Sequence, residues 1–250
     1  MNAPLHGNTR TLVLTGASRG IGHATVKKFG ASGWRIITVS RQPFSALCPW
    51  PGGGANHVQL DLGDPVELGR GIEEIRHRLA GEGLHALVNN AAISPKGPKG
   101  ERLGAMDTPF DLWRQVFNVN FFAPVALARG LVAELSRAQG CVVNVTSIAG
   151  SRVHPFAGSA YATSKAALAS LTREMAHDFG PRGIRVNAIA PGEIDTVMLS
   201  PGTEKIVEEQ IPMRRLGTPD EVADVIHFLC DKGASYVSGA EIQINGGQHV

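Results

Sequence analysis

Residues 11–22 read TLVLTGASRGIG. An apolar, β-branched run passes without a break into a turn carrying Gly16, Gly20 and Gly22, and the chain beyond it takes on helical spacing. The order is strand, glycine turn, helix. Glycine reaches backbone angles closed to other residues and lets a pyrophosphate approach the main chain. The helix start behind it offers free N–H groups and the positive end of a dipole. The spacing TGxxxGxG leaves one residue more between the first two glycines than the common dinucleotide fingerprint. Neither GxxxxGKS nor GxxxxGKT occurs, which argues against a triphosphate-binding loop.

Working outward, strand-length apolar runs alternate with amphipathic segments. The strand candidates are 11–15, 34–40, 57–60, 85–90, 141–147, 185–191 and 241–245. Their near-continuous apolar character suits strands covered on both faces. The helix candidates are 22–33, 66–80, 110–137, 159–180 and 219–232. This alternation predicts one α/β domain over residues 1–250, a doubly wound parallel sheet of the Rossmann type. It has about seven strands, with helices on both faces. Residues 1–10 read as a flexible tail. Two segments break the rhythm: the Pro/Gly-rich stretch 41–55 and the irregular stretch 192–217. The second follows a strand's carboxyl end, where open α/β sheets bind ligands, and is expected to form a substrate loop.

Composition narrows the function classes. The chain has 250 residues, 43% of them apolar and 18% charged, and a formal net charge of +2. The basic residues are scattered, which disfavours nucleic acid as a partner. Cys48, Cys141 and Cys230 form no CxxC pair and read as reduced thiols. The nine histidines make no HExxH or comparable ligand spacing, so no metal is expected. The N-terminus lacks an apolar signal region, and no window holds eighteen uninterrupted apolar residues. The expectation is a cytoplasmic protein without a membrane partner.

YATSK, residues 161–165, puts a phenol and an ammonium four residues apart. On a helix such residues are neighbours. The pair is open to two readings: a half-buried tyrosine beside a solvated lysine, or a proton-transfer device. In the second, the ammonium lowers the phenol's pKa from its usual value near 10.

The chain resembles the short-chain dehydrogenase/reductase family, and within it members like the 3-oxoacyl acyl-carrier-protein reductases. The resemblance is carried by TGASRGIG at 15–22, LDL at 60–62, NNAA at 89–92, Asn120 in NVN, Ser147 in NVTS, YATSK, PG at 191–192 and GG at 246–247. It implies reversible hydride transfer between a nicotinamide and a carbonyl or alcohol carbon, with Tyr161 as general acid and base. It further implies that Lys165 holds the nicotinamide ribose, Ser147 orients the substrate oxygen and Asn120 holds a relay water. Asn118 is the rival to Asn120. The dinucleotide would lie along Gly16, Ser18, Arg19, Gly20, Ile21 and Gly22, then Asp61 and Leu62 at the adenine. Asn90 and Ala91 would line the ribose side, with a structural role for Asn90 equally open. Pro191 and Gly192 would let the chain pass close to the nicotinamide, with Ile194 and Thr196 at the carboxamide. Ala149, His154, Phe156, Glu193 and Met198 are substrate-pocket candidates by position. Glu193 has two open orientations, into the pocket or toward solvent.

Dinucleotide folds that bind NAD place an acid near the end of the second strand. Ser40 and Arg41 stand there instead. A hydroxyl and a guanidinium suit a 2′-phosphate, and Arg19 adds a second positive charge. The reading is therefore NADP(H), with NAD(H) as the alternative. The expected substrate is a ketone or 3-oxoacyl compound, and the alternative a sugar, polyol or steroid-like alcohol. A non-catalytic dinucleotide-binding protein is a third class, disfavoured because Asn120, Ser147, Tyr161 and Lys165 are all present. The family resemblance implies a homotetramer, which the apolar faces of the helices at 110–137 and 159–180 suit.

Overall fold

The computed structural model describes residues 9–44, 53–197 and 199–250. Seven strands form one sheet: β1 (Thr11–Thr15), β2 (Arg35–Ser40), β3 (His57–Gln59), β4 (Ala86–Asn89), β5 (Cys141–Val145), β6 (Arg185–Pro191) and β7 (Glu241–Ile244). Their order is β3-β2-β1-β4-β5-β6-β7, and every neighbouring pair is parallel. The order reverses between β1 and β4, the switch point where such sheets open a crevice.

The helices are α1 (Gly20–Ala31), α2 (Pro65–Leu79), α3 (Phe110–Phe117), α4 (Ala123–Gly130), α5 (Val132–Ala138), α6 (Ser159–Phe179), α7 (Thr203–Gln210) and α8 (Pro219–Cys230). Side chains alternate across a strand, so one run feeds two cores. Leu12 and Leu14 join Val26 and Phe29 of α1 and Val222, Ile226 and Leu229 of α8 on one face. Val13 and Leu87 join Leu68, Ile72 and Ile75 of α2, Leu127 of α4 and Met175 of α6 on the other. The layers are thus helix, sheet, helix.

Three expectations change. The segment 110–137 is not one helix: a π turn at Asn118–Phe122 separates α3 from α4, and a bend of 59° at Leu131 sets off α5. The irregular stretch 192–217 contains α7. The strand of 141–147 ends at Val145, because Ser147 starts a short 3₁₀ turn over Ile148–Gly150. Cys141 and Cys230 are free and buried, whereas Cys48 lies outside the described residues. Among the described residues no single helix is long and apolar enough to cross a membrane.

Candidate active site

A cleft of about 1040 Å³ runs along the carboxyl ends of the central strands. Its first wall is the glycine turn. Gly16 and Gly20 have φ of +72° and +53°, the left-handed region that suits glycine. Gly22 is fixed by contact instead: a Cβ there would sit 2.0 Å from the Gly16 carbonyl oxygen. The helix α1 that follows has no side-chain cap, its N-cap position being the exposed Arg19. By contrast Asp64 caps α2, and Thr218 with Glu221 forms a capping box on α8. An uncapped first turn beside a side-chain-free cradle fits the pyrophosphate of a dinucleotide.

The same wall continues through Ser18, Ile21, Ser40, Arg41, Asp61, Leu62 and Ala91, all of which line the cleft. Arg41 is exposed, and the Ser40 hydroxyl donates to the Gln42 carbonyl at 3.0 Å. Asp61 accepts from Gly63 N at 2.8 Å, which holds its carboxylate in a local turn. Asn90 also lines the cleft, but its amide donates to the carbonyls of Thr15 (3.1 Å) and Gly16 (2.9 Å). Those two bonds tie β4 to the glycine turn and favour the structural reading of Asn90.

Ser147, Tyr161 and Lys165 meet in the middle of the cleft. The Ser147 hydroxyl accepts from Ala149 N at 3.2 Å and shares the cleft with the Tyr161 phenol, whose ionised form it favours. Lys165 is 2% exposed, and its Nζ donates to the Val145 carbonyl at 2.6 Å. It stands 5.7 Å from the centroid of the Tyr161 ring. Burial lowers the Lys165 amine to about 7. The tyrosine moves opposite to the sequence expectation. Burial raises the Tyr161 phenol, the Ser147 hydroxyl opposes that, and the Glu193 charge raises it further.

Asn120 does not line the cleft. It is fully buried in the π turn, accepting from Ile93 N (2.9 Å) and donating to Ile93 O (3.0 Å) and the Ser164 hydroxyl (3.0 Å). Ser164 in turn donates to the Tyr161 carbonyl at 2.7 Å. These bonds use the Asn120 side chain to join the Ile93 main chain to α6. The rival Asn118 points elsewhere, to the Gly63 carbonyl at 3.2 Å.

At the far end, Ala149, His154, Phe156 and Glu193 line the cleft, and Met198 lies outside the described residues. Glu193 faces inward: its Oε1 is 2.5 Å from His154 Nε2, and both side chains are 10% exposed. Ile194 pairs with Gly217, and Thr196 packs on Gly20. Pro191 and Gly192 line the cleft, and packing behind Gly192 leaves no room for a side chain. A Cβ there would meet Asn245 Cβ at 2.6 Å and Gln248 Oε1 at 2.8 Å. Lys96 and Ser164 were missed. Lys96 lines the cleft from the Pro/Gly-rich loop after β4, and its position behind a strand's carboxyl end was the available signal. Ser164 stood unremarked inside YATSK.

Comparison with known proteins gives one answer along nearly the whole chain. A family model described as enoyl-(acyl carrier protein) reductase matches residues 16–249. Protein FixR of Bradyrhizobium diazoefficiens is 64% identical over 245 residues, 98% of this chain and 88% of that protein. The 3-oxoacyl-(acyl-carrier-protein) reductase FabG of Aquifex aeolicus is 32% identical over 249 residues, 94% of this chain and 95% of the other. A short-chain oxidoreductase from Brucella ovis, crystallised with a partially ordered NAD, is 62% identical with a TM-score of 0.83. The match covers 95% of this chain and 100% of that one. The chain belongs to the short-chain dehydrogenase/reductase family, whose members are nicotinamide-dependent oxidoreductases.

Proposed function

We propose that the chain is an NADP(H)-dependent ketone reductase in which Tyr161 donates the proton to the carbonyl oxygen. The observation that carries this is the Ser147–Tyr161 pair, in which burial and the Glu193 charge keep the phenol protonated. A protonated phenol is a general acid, the group a developing alkoxide needs. A bound nicotinamide supplies the hydride exchanged with the carbonyl carbon. Ser147 donates to the same oxygen and orients it toward Tyr161. Lys165, near neutrality in its ionisation, returns a proton to Tyr161 and holds the ribose. Asn120 supports both by fixing Ile93 on the cleft wall and Ser164 on α6. Gly16, Ser18, Arg19, Gly20 and Ile21 bind the pyrophosphate, Asp61 and Leu62 the adenine, and Ile194 and Thr196 the carboxamide.

The preference for NADP(H) is supported by Ser40 and Arg41 at the end of β2. The NAD held by the Brucella ovis relative supports the NAD(H) alternative. We take residues 1–250 as one domain working as a homotetramer in the cytoplasm. The apolar groove between α2 and α4, rimmed by the exposed Phe122, supports self-association. The free buried thiols of Cys141 and Cys230 support a reducing compartment.

The test is Tyr161→Phe. Turnover of a ketone with NADPH should fall by on the order of 10³-fold while NADPH binding, followed by fluorescence, persists. Wild-type turnover in the variant would discard the assignment.

A further inference from the structure

We propose that Glu193 recognises a second hydroxyl group on the substrate, so that the enzyme interconverts a hydroxyketone and a diol in preference to a plain ketone or an acyl thioester. The inference rests on the reductase reading above and names its substrate class.

The position of Glu193 is set by main chain. Its carbonyl accepts from Gly217 N at 2.9 Å, and the adjacent Ile194 pairs with Gly217. The side chain therefore enters the cleft that Ser147 and Tyr161 line. The partner His154 is oriented in turn. Its Nδ1 accepts the Phe156 N–H at 3.2 Å, so the ring proton sits on Nε2 and is donated to Glu193 Oε1 at 2.5 Å. One carboxylate oxygen is thereby used. The other, Oε2, has no hydrogen-bond partner among the described residues. Oε2 keeps its access to the open cleft, so a donor on a bound ligand can reach it there.

Lys96 decides which donor. It lines the same cleft, donates to the Phe156 carbonyl, and its charge and that of Glu193 act on each other. A cationic ligand would meet Lys96 as a like charge. A hydroxyl suits both neighbours, giving a hydrogen to Glu193 and accepting one from Lys96. A thioester carbonyl only accepts, and an alkyl chain does neither, so each leaves Oε2 bare. The Glu193 charge is felt at the Tyr161 phenol. Glu193, Ser147 and Tyr161 line one cleft, so a single ligand lying along it meets both the carboxylate and the reacting oxygen.

The test compares kcat/KM, with NADPH, for acetoin, butanone and the acetoacetyl thioester of N-acetylcysteamine. Wild type should favour acetoin over butanone by about 30-fold or more, and Glu193→Leu should bring that ratio close to one. Glu193→Gln, which keeps the size, should fall between them. The ratio is internal to each variant, so poor folding lowers both rates without moving it. A wild-type ratio near one, a preference for the thioester, or a ratio that survives in Glu193→Leu overturns the proposal and leaves the reductase reading standing. If wild type turns over no carbonyl above the level of Tyr161→Phe, the reductase reading falls, and the proposal with it.

Discussion

At the glycine-turn end of the cleft the wall is main chain: two glycines at positive φ, a third pressed on a carbonyl, and the uncapped start of α1. At the opposite end the wall is side chain, with Lys96, His154, Phe156 and Glu193 converging from separate loops. The first wall tolerates almost no change of shape and reads the part common to every dinucleotide. The second accepts changes of residue and reads the part that differs between substrates. Division of this kind lets one scaffold keep its cofactor while its substrate changes.

Gly22→Ala should break the first wall most severely. The added methyl overlaps the Gly16 oxygen, so stability should drop by about 3 kcal/mol, with weakened NADPH binding. Thermal melting with and without cofactor checks this, and an unchanged melting curve contradicts it. Arg41→Ala tests the charge at that end nearest the close of β2. NADPH affinity should fall by roughly 10- to 100-fold with NADH affinity unmoved. Titration of both cofactors decides, and equal losses contradict the 2′-phosphate reading.

The smallest effect sharpens the middle of the cleft. Lys165 ionises near 7 in the fold, against 10.5 ordinarily. Across that window the unfolded chain binds a proton that the fold does not, so stability rises with pH from about 7. Above about 10 the raised Tyr161 reverses the trend, since the fold then keeps a proton that the unfolded chain loses. Lys165→Met should flatten the rise in melting temperature between about pH 7 and 9. A variant that keeps it shows the slope to arise elsewhere.

Much of this was legible in the chain itself. β-branched runs marked all seven strands to within about two residues, because strands covered on both faces leave an unmistakable apolar block. The glycines marked the phosphate end for the same local reason. The break at Asn118–Phe122 was illegible, since NVNFF is as apolar in a π turn as in an α-helix. So was α7, whose TEKIVEEQ lies between Pro/Gly turns. The inward orientation of Glu193 depends on a histidine 39 residues away. The raised phenol of Tyr161 depends on burial that no local pattern encodes. Side-chain chemistry assembled over long range is what the sequence conceals.

The π turn has a consequence of its own. A widened turn of this kind holds one residue more than the α-helix it interrupts. Take that residue away and α3 runs straight into α4 as one α-helix, each keeping its present facing. The supernumerary residue therefore adds nothing to the packing of either helix. What it alters is direction: Asn120 is swung to where its amide meets Ile93 on the cleft wall and Ser164 on α6. An insertion that would count as a defect in a packing motif serves here as the pointer that aims a single side chain.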